Sequence, residues 1–395
     1  MKSVRATIYF DNNATTAVSN ACLEAVMKCL AMGPLNPSSK HSQGDRAKRL
    51  LMEARQQVAS MFGASAAEFV FTAGGTESNH LAILGALASQ PDRRHIIASE
   101  VEHPSTLMLL RDLESRGIHT SYVPVDGDGR LNVEAFGDLL RPDTALATIM
   151  WANNETGVLF PIETLADMAR ARHVLFHTDA VQAAGKVPID LHHTAVDLLS
   201  LSGHKLHAPS GIGALYVRKG LRLPPVVFGH QERGRRGGTE NVAGIVALGA
   251  ACAELDAAMG AEPARLANLR GRLERGVLAR VACARVNGAG AARVANTTNL
   301  RFGNLDAELI LGRLDRLGIC ASAGAACSAA GTKPSHVLTA MGLSAAAALA
   351  SIRFSLGRQN TEREVDEVIG VLPEVLDKLE RQTARQSNDP MTFHP

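Results

Sequence analysis

The stretch Leu198-Leu199-Ser200-Leu201-Ser202-Gly203-His204-Lys205 decides the fold of this chain. Its apolar first part predicts a β-strand over 198–202, and the glycine, histidine and lysine after it predict a turn. A lysine at this place lies at the carboxyl edge of a sheet, which is where open α/β sheets bind ligands. Such a lysine can form a Schiff base with a carbonyl cofactor, although most single lysines are solvated surface charges.

Similar short apolar runs occur on both sides of this stretch. They predict strands over 68–72, 95–99, 120–125, 145–152, 174–178 and 213–217. The intervening stretches, such as 43–62, 77–89 and 105–116, carry apolar residues at helical spacing. This alternation predicts an α/β fold with a parallel sheet and helices on both of its faces.

The pattern changes after about residue 222. Two prolines and a loop rich in glycine and arginine over 234–238 lead into a helical region that extends to about residue 282. A strand over 298–302, a helix over 307–317, a loop of small residues over 321–331 and a helix over 362–381 follow. We therefore expect a large α/β domain over 15–260 and a smaller α+β domain formed by 1–14 and 261–385. Residues 386–395 are expected to form a flexible tail.

Composition limits the class of protein. The chain has 395 residues, of which 46% are hydrophobic and 20% charged, so it has the apolar material for a large core and is not a disordered chain. A net charge of +2 gives no reason to expect nucleic acid or a membrane as partner. Six cysteines without a Cys-x-x-Cys pair indicate neither a disulfide framework nor a zinc site. Without a signal peptide or an apolar run of about 20 residues, we expect a cytoplasmic protein with reduced thiols.

Two further motifs follow other predicted strands. Asp179 comes directly after the strand at 174–178, where a carboxylate can keep the ring nitrogen of a pyridine cofactor protonated. A helix N-cap is the alternative interpretation of Asp179. Gln182, one turn later, could donate to a ring hydroxyl. Gly75 and Thr76 join the strand at 68–72 to a helix, so backbone N–H groups there can bind a phosphate. A phosphate site, a ring-nitrogen carboxylate and a Schiff-base lysine are the three anchors of pyridoxal 5′-phosphate.

Longer motifs occur in order along nearly the whole chain. They are Tyr9-Phe10-Asp11-Asn12-Asn13-Ala14-Thr15-Thr16, Asn36-Pro37-Ser38-Ser39 with His41, Gly75-Thr76-Glu77-Ser78-Asn79, Glu102-His103, Asn153-Asn154-Glu155-Thr156-Gly157, Gly237-Gly238-Thr239-Glu240-Asn241, Ala326-Cys327 and Ile352-Arg353-Phe354-Ser355. With these motifs the chain resembles the cysteine desulfurases of the NifS/IscS type, and most of all their nitrogen-fixation branch. These are pyridoxal-phosphate enzymes of the class V aminotransferase superfamily. The resemblance implies fold type I of the pyridoxal-phosphate enzymes.

The resemblance also implies roles at the ring of the cofactor. Lys205 corresponds to the lysine that carries the cofactor and moves the substrate Cα proton. His103 corresponds to an imidazole that stacks on the pyridine ring and assists proton transfer. Asp179 would pair with the ring nitrogen, whereas Gln182 and Asn154 would contact the oxygen side of the ring.

The phosphate and the substrate have their own implied positions. The phosphate-binding residues would be Gly75, Thr76, Ser202 and His204. Thr239 resembles the threonine that reaches the phosphate of the neighbouring subunit, which implies a homodimer. Arg353 would bind the substrate carboxylate through a bidentate pair, with Asn154 beside it.

Cys327 decides which reaction the cofactor serves. It lies in the loop of small residues, where an accessible thiol suits a nucleophile for sulfur, whereas the other five cysteines occupy apolar contexts typical of buried, unreactive thiols. The resemblance implies that Cys327 takes the sulfur of L-cysteine as a persulfide and leaves L-alanine. The persulfide would then supply an iron–sulfur scaffold protein. Cys327 is also a candidate transient ligand of an iron–sulfur cluster.

Three alternatives stay open. A selenocysteine lyase or a class V aminotransferase would keep the cofactor residues and depend less on Cys327. A non-catalytic binder of pyridoxal phosphate that acts as an assembly partner is the third. One feature favours it: the loop reads Ala323-Gly324-Ala325-Ala326-Cys327, whereas the family commonly has Ser-Gly-Ser-Ala-Cys, so two hydroxyls near the thiol are absent.

Overall fold

The computed structural model describes residues 7–323 and 333–387 of the chain. These residues form the strands β1 (Ile8–Tyr9), β2 (Phe69–Thr72), β3 (His95–Ser99), β4 (His119–Val123), β5 (Thr144–Thr148), β6 (Leu175–Asp179), β7 (Leu198–Ser202), β8 (Gly213–Val217), β9 (Ala284–Asn287), β10 (Thr297–Phe302), β11 (Ile319–Cys320) and β12 (Ser351–Ser355). They form the helices α1 (Asn20–Ala31), α2 (Ser42–Met61), α3 (Gly75–Ser89), α4 (Pro104–Ser115), α5 (Val133–Leu139), α6 (Ile162–Ala171), α7 (Gln231–Gly234), α8 (Val242–Ala258), α9 (Glu262–Arg280), α10 (Ala307–Arg316), α11 (His336–Ala340), α12 (Ala345–Leu349) and α13 (Glu362–Ser387).

Seven strands form the central sheet, in the order β2-β8-β7-β6-β5-β3-β4. Strand β8 is antiparallel to both of its neighbours, and the other pairings are parallel. Strands β3, β5 and β7 are buried at every residue, as expected for strands that carry helices on both faces. The predicted α/β fold with a mostly parallel sheet is therefore confirmed.

Alternating side chains of the central strands enter two different cores. In β7, for example, Leu199 and Leu201 belong to a core shared with α2 and α8, whereas Leu198 belongs to a core shared with α3 and α4. This period of two is the geometry of a strand, and it explains why the buried strands read as continuous apolar runs.

A smaller sheet has the order β12-β10-β9, with antiparallel pairings. Strand β1 pairs in parallel with β11 beside it. Two single bridges, Asp11 with Ser355 and Ser322 with Arg353, connect this pair to β12. A third core packs α9, α10 and α13 on these strands. The predicted domain boundaries themselves stay a prediction.

The predicted strands differ from the observed ones at their ends. Strand β4 ends at Val123 because Pro124 has no N–H for the ladder. The predicted strand over 145–152 is too long, since β5 ends at Thr148. Beyond it the chain turns at Asn153, whose side-chain oxygen accepts the N–H groups of Glu155 and Thr156. Helix α13 continues past its predicted end at 381 to Ser387, and residues 388–395 lie outside the described residues.

Within the described residues, no single helix has both the length and the apolar composition needed to cross a bilayer. Helices α8 and α9 meet that criterion only when they are joined across a bend of 76°.

A buried ion pair fastens the short helix α7 to α2 and to the strand β2 of the central sheet. Arg55 of α2 forms a bidentate pair with Glu232, with N···O distances of 2.6 and 2.7 Å. The side chain of Glu232 is 3% exposed, and it also accepts the N–H of Phe71 at 3.0 Å. Glu232 holds a positive φ of 47°, a conformation that this set of bonds fixes.

Replacing Arg55 by methionine is expected to lower the free energy of unfolding by about 3–5 kcal/mol, because it leaves a buried carboxylate without its cation. Lys378→Met is the matched control. Lys378 pairs with Glu374 where both side chains are more than half exposed, at 59% and 70%, so its loss should cost less than about 1 kcal/mol. Urea unfolding measures both changes. Equal, small losses in the two variants would contradict the assignment of Arg55–Glu232 as a structural pair.

Candidate active site

A cavity of about 400 Å³ lies at the carboxyl edge of the central sheet. Its walls come from the turns that follow β2, β3, β5, β6 and β7, together with the N-terminal segment and β12. The lining residues predicted from the sequence are Gly75, Thr76, His103, Asn154, Asp179, Gln182, Ser202, His204, Lys205 and Arg353. The structure thus brings ten of the predicted positions to one place: nine lie at or after the carboxyl ends of parallel strands of the central sheet, and Arg353 comes from β12.

The N-terminal segment closes the cavity on the side of Lys205. The Nζ of Lys205 donates to the backbone oxygens of Asn13 at 2.6 Å and Ala14 at 2.5 Å. Thr16 binds the backbone oxygen of His204 through its N–H at 3.0 Å and its hydroxyl at 2.9 Å. The motif at 9–16 therefore holds the lysine turn in place.

The turn before α3 forms a pocket for an anion. Gly75 and Thr76 begin this 15-residue helix, where the first N–H groups have no partner within the helix. A Cβ on Gly75 would lie 2.9 Å from Val181 Cγ2 and 3.4 Å from Ser202 Cβ, so a side chain would fill the space between them. Burial lowers the pKa of His204 to about 4, with Lys205 adding to the effect, so its imidazole is neutral near pH 7.

Asp179 ends β6 and points its carboxylate into the cavity wall. It is 7% exposed, and it accepts the N–H of Val181 at 3.0 Å and the amide of Asn79 at 2.7 Å. Both donors are neutral. A buried carboxylate with two neutral donors is suited to a cationic group in the cavity, such as a protonated ring nitrogen.

His103 lies at the N-terminus of α4 and is the cap of that helix. Its Nδ1 accepts the N–H of Ser105 at 3.1 Å and lies 2.9 Å from the hydroxyl of the same residue. A backbone N–H only donates, so Nδ1 carries no proton and the neutral ring has its proton on Nε2. Burial lowers the pKa of His103, which keeps this neutral form, although the nearby Asp179 acts in the opposite direction.

Arg353 lies in the middle of β12 and is 3% exposed. Its Nη2 pairs with Asp11 Oδ1 at 2.6 Å, and its Nη1 donates to the backbone oxygen of Asn154 at 3.1 Å. A buried arginine requires an anionic partner, and from the sequence we expect a substrate carboxylate in that role. The structure shows that Asp11 already meets this requirement within the chain.

Two predicted positions are not part of this cavity as described. Thr239 is exposed, and it does not line the cavity of its own chain. Cys327 lies in 324–332, outside the described residues. On the near side of that segment, the backbone of Ser322 pairs with Arg353, and on the far side Ser335 donates to the buried Glu155 at 2.5 Å.

The other five cysteines are all described. Cys22, Cys29 and Cys252 are buried, as expected, but Cys283 and Cys320 are only half-buried. The expectation of full burial is wrong for these two. Cys320 lies in the two-residue strand β11, which pairs with β1 only, so too little structure covers it. Burial raises the pKa of all five thiols, which lowers the fraction of reactive thiolate.

Sequence reasoning assigned no role to several residues that complete the site. They are Asp11, Asn13, Ala14, Asn79, Ser105 and Lys186. Asp11, Asn13, Ala14 and Asn79 lie within the motifs at 9–16 and 75–79. The sequence therefore pointed to these segments but not to the contact that each residue makes. No comparable signal pointed to Ser105 or Lys186.

The donor set of the cavity suits pyridoxal 5′-phosphate. The helix N-terminus at Gly75 and Thr76 can bind a phosphate, and the carboxylate of Asp179 in the same cavity can bind a protonated ring nitrogen. Lys205 is the amine within the same cavity. A volume of about 400 Å³ is also in the range of cofactor sites.

Comparisons with known proteins cover nearly the whole chain. The family model described as "Aminotransferase class-V" matches residues 8–368. A protein of Trichormus azollae named "Cysteine desulfurase" is 48% identical over 375 residues, which are 94% of this chain and 93% of that protein. "Cysteine desulfurase NifS" of Azotobacter vinelandii is 46% identical, over 95% of this chain and 94% of its own. A solved structure titled "NIFS-LIKE PROTEIN" has a TM-score of 0.89 and 34% identity, and the match covers 94% of this chain and 100% of that one.

A further histidine, His177, lies two positions before Asp179 in β6. His177 is fully buried, and its Nδ1 and Nε2 lie 2.8 and 2.9 Å from the hydroxyls of Thr148 and Ser200. Both partners are neutral, and burial lowers the pKa of His177 from 6.5 to about 3. The strand that carries Asp179 is therefore fastened to both neighbouring strands by an uncharged imidazole.

His177 is expected to make the protein less stable in mild acid. In the unfolded chain the pKa of His177 is about 6.5. As the pH falls from 6.5 towards 3, the unfolded state therefore binds a proton that the folded state does not bind. Stability is thus retained above pH 6.5 and lost below it. His177→Gln should reduce the number of protons bound on unfolding by up to one, and with it the slope of the free energy of unfolding against pH. The exposed control His192→Gln should leave this slope unchanged. Urea midpoints between pH 4 and 8 measure the slope, and parallel curves for His177→Gln and the wild type would contradict the prediction.

Proposed function

Because the chain belongs to the class V aminotransferase family, whose members depend on pyridoxal 5′-phosphate, we propose that it is a cysteine desulfurase. The reaction converts L-cysteine to L-alanine and leaves the sulfur as a persulfide on Cys327. The fold supports this proposal, since the expected fold type I of the pyridoxal-phosphate enzymes is confirmed.

One observation carries the proposal. The phosphate turn at Gly75, the carboxylate of Asp179 and the amine of Lys205 line one cavity together with the guanidinium of Arg353. The first three suit the cofactor, and the fourth suits the carboxylate of an amino acid.

The residues of the cavity divide the tasks of binding and proton transfer. Gly75 and Thr76 would hold the phosphate with Ser202 and His204, and Asp179 would hold a proton on the ring nitrogen. Lys205 would hold the cofactor through its amine and move the Cα proton of the substrate. His103 would face the ring as a neutral imidazole, and its Nε2–H is the proton it could offer. When bound, the cofactor supplies an electron sink for the pair left at Cα.

The atoms and electrons of the sulfur transfer balance between the Cys327 thiolate and L-cysteine. The Cys327 thiolate attacks the sulfur of L-cysteine, so an S–S bond forms and the substrate Cβ–S bond breaks. Cβ gains the electron pair and a proton and becomes the methyl group of alanine, while the sulfur is oxidised to the persulfide level. No external oxidant or reductant is required. The raised pKa of the five other thiols lowers their fraction of thiolate and makes each of them a poor candidate for this nucleophile.

The assembly and the destination of the sulfur follow from the resemblance. We place Thr239 at the phosphate of a partner subunit in a homodimer, which agrees with its exposed position outside its own cavity. We assign an iron–sulfur scaffold protein in the cytoplasm as the acceptor of the persulfide, with Cys327 as a transient ligand of the cargo cluster. The name NifS of one relative supports a role in the supply of sulfur for nitrogenase.

Replacing Cys327 by alanine should lower alanine formation from L-cysteine at least about a hundredfold and leave the yellow colour of the bound cofactor unchanged. The matched control is Cys320→Ala, which removes a half-buried thiol and should keep activity near that of the wild type. Alanine is measured with L-cysteine and without reductant.

Mass mapping of the wild-type protein in the same assay should find one additional sulfur atom on the Cys327 peptide. Full alanine formation by Cys327→Ala would reject the persulfide role and point to a lyase. If wild-type protein with bound cofactor makes no alanine, the aminotransferase or the non-catalytic binder replaces the desulfurase.

Arg353→Lys should raise the KM for L-cysteine about tenfold or more and change cofactor affinity little, because an ammonium cannot replace the planar, bidentate guanidinium. Arg301→Lys is the control, since Arg301 lies on the adjacent strand β10 but does not line the cavity. Initial rates over a range of L-cysteine concentrations separate KM from kcat. An unchanged KM would remove Arg353 from the substrate site.

A further inference from the structure

Lys186 lies beside the cavity and binds two of the residues that form it. Its Nζ donates to Gln182 Oε1 at 2.6 Å and to Asn13 Oδ1 at 3.0 Å. Lys186 lies four residues after Gln182. Both partners of Lys186, Gln182 and Asn13, line the cavity. Lys186 itself is half-buried and lines a smaller cavity of about 40 Å³ that also contacts Lys205.

The hydrogen bonds of Gln182 determine which end of its amide is the oxygen. One end faces the amine of Lys186, which is a donor in its charged form. The other end lies 3.0 Å from the backbone oxygen of Asn13, which only accepts. Both neighbours therefore require the same orientation, with the oxygen at Lys186 and the NH₂ group at Asn13. The NH₂ group has a second hydrogen, so Gln182 keeps a donor for an acceptor in the cavity.

A lysine at this place is electrostatically expensive. Burial lowers the pKa of Lys186 to about 7, and the cations of Lys205 and Arg353 add to the effect. A methionine of similar length would avoid this cost but could not donate to Gln182. The cost is understandable if the hydrogen bond to Gln182 has a function.

We propose that Lys186 is a positioning residue that fixes the Gln182 amide with its NH₂ group available to the oxygen of the cofactor ring. The inference rests on the proposed function, because it takes that cavity as the cofactor site. Without the donor at Lys186, only the backbone oxygen of Asn13 still selects this orientation, so the Gln182 amide is turned by half a turn in a larger fraction of molecules and then presents its oxygen to the oxygen of the ring. Two acceptors then face each other, which weakens the binding of pyridoxal 5′-phosphate.

A double-mutant cycle tests this role through cofactor affinity rather than turnover. The variants are Lys186→Met, Gln182→Ala and the double variant. Each is stripped of cofactor and titrated with pyridoxal 5′-phosphate, and the visible absorption band gives the Kd. We expect Lys186→Met to raise the Kd about tenfold, because a misoriented Gln182 amide replaces a hydrogen bond to the ring oxygen by a pair of facing acceptors. In the Gln182→Ala background the same substitution should change the Kd less than about twofold.

Lys186→Gln is the conservative variant, since its amide can donate to Gln182 without a charge. It should restore the Kd to within about threefold of the wild type, which a loss of packing alone would not predict. If Lys186→Met does not fold, the comparison of Lys186→Gln with Lys186→Glu, which offers an acceptor, replaces it. Equal effects of Lys186→Met with and without Gln182 would overturn the proposal, and so would an unchanged Kd.

Failure of this proposal can be told from failure of the proposed function. Lys205→Ala in the same titration should abolish the visible band if the cavity is the cofactor site. If that band is lost but wild-type protein makes no alanine from L-cysteine, the desulfurase activity is rejected while the cycle on Lys186 is still decided by its own Kd values.

Discussion

Asn13 connects the parts of this protein that its chemistry requires to be close together. Its backbone oxygen accepts from Lys205 and Gln182, and its side-chain oxygen accepts from Lys186 and Asn296. Its side-chain nitrogen donates to the backbone of Asn154 at 3.1 Å and to Thr297 at 2.9 Å. One asparagine thus joins the turn after β7, the turn after β6 and the strand β10 of the smaller sheet. Because Asn13 is 2% exposed, an unmade bond at any of these groups would be costly.

The charges around the cavity are arranged so that few of them are left without a partner. Three cations, Lys186, Lys205 and Arg353, lie close enough to affect one another. Asp11 pairs with one of them, backbone oxygens receive another, and the two imidazoles His103 and His204 are kept neutral by burial. Adding positive charge on either histidine would increase the repulsion. The cavity therefore suits a ligand that brings negative charge, which a phosphate and a carboxylate both do.

The sequence predicted the central sheet well because its strands are buried on both faces and read as short apolar runs. The strands at 95–99, 198–202 and 213–217 agree with the prediction to the residue. The antiparallel direction of β8 could not be predicted, since an apolar run carries no information on strand direction. The same limit applies to the site. Residues at or just past the end of a strand, such as Asp179 and Lys205, were found by their position, whereas Asp11 meets Arg353 through a contact between residues more than 300 positions apart. Only the folded topology shows such a contact. The residue roles and the domain boundaries stay predictions.

The pairing of β1 with β11 has a consequence for synthesis on the ribosome. Ile8 is made more than 300 residues before its partner Ile319. At translation rates of about 5–20 residues per second, the N-terminal strand waits roughly 15–60 s for the strand it pairs with. During that time Asp11 also lacks Arg353, which is made later still. The cavity is thus completed only after residue 353 has been made, because Arg353 of β12 forms part of its wall. Long-range closure of this kind favours slow folding.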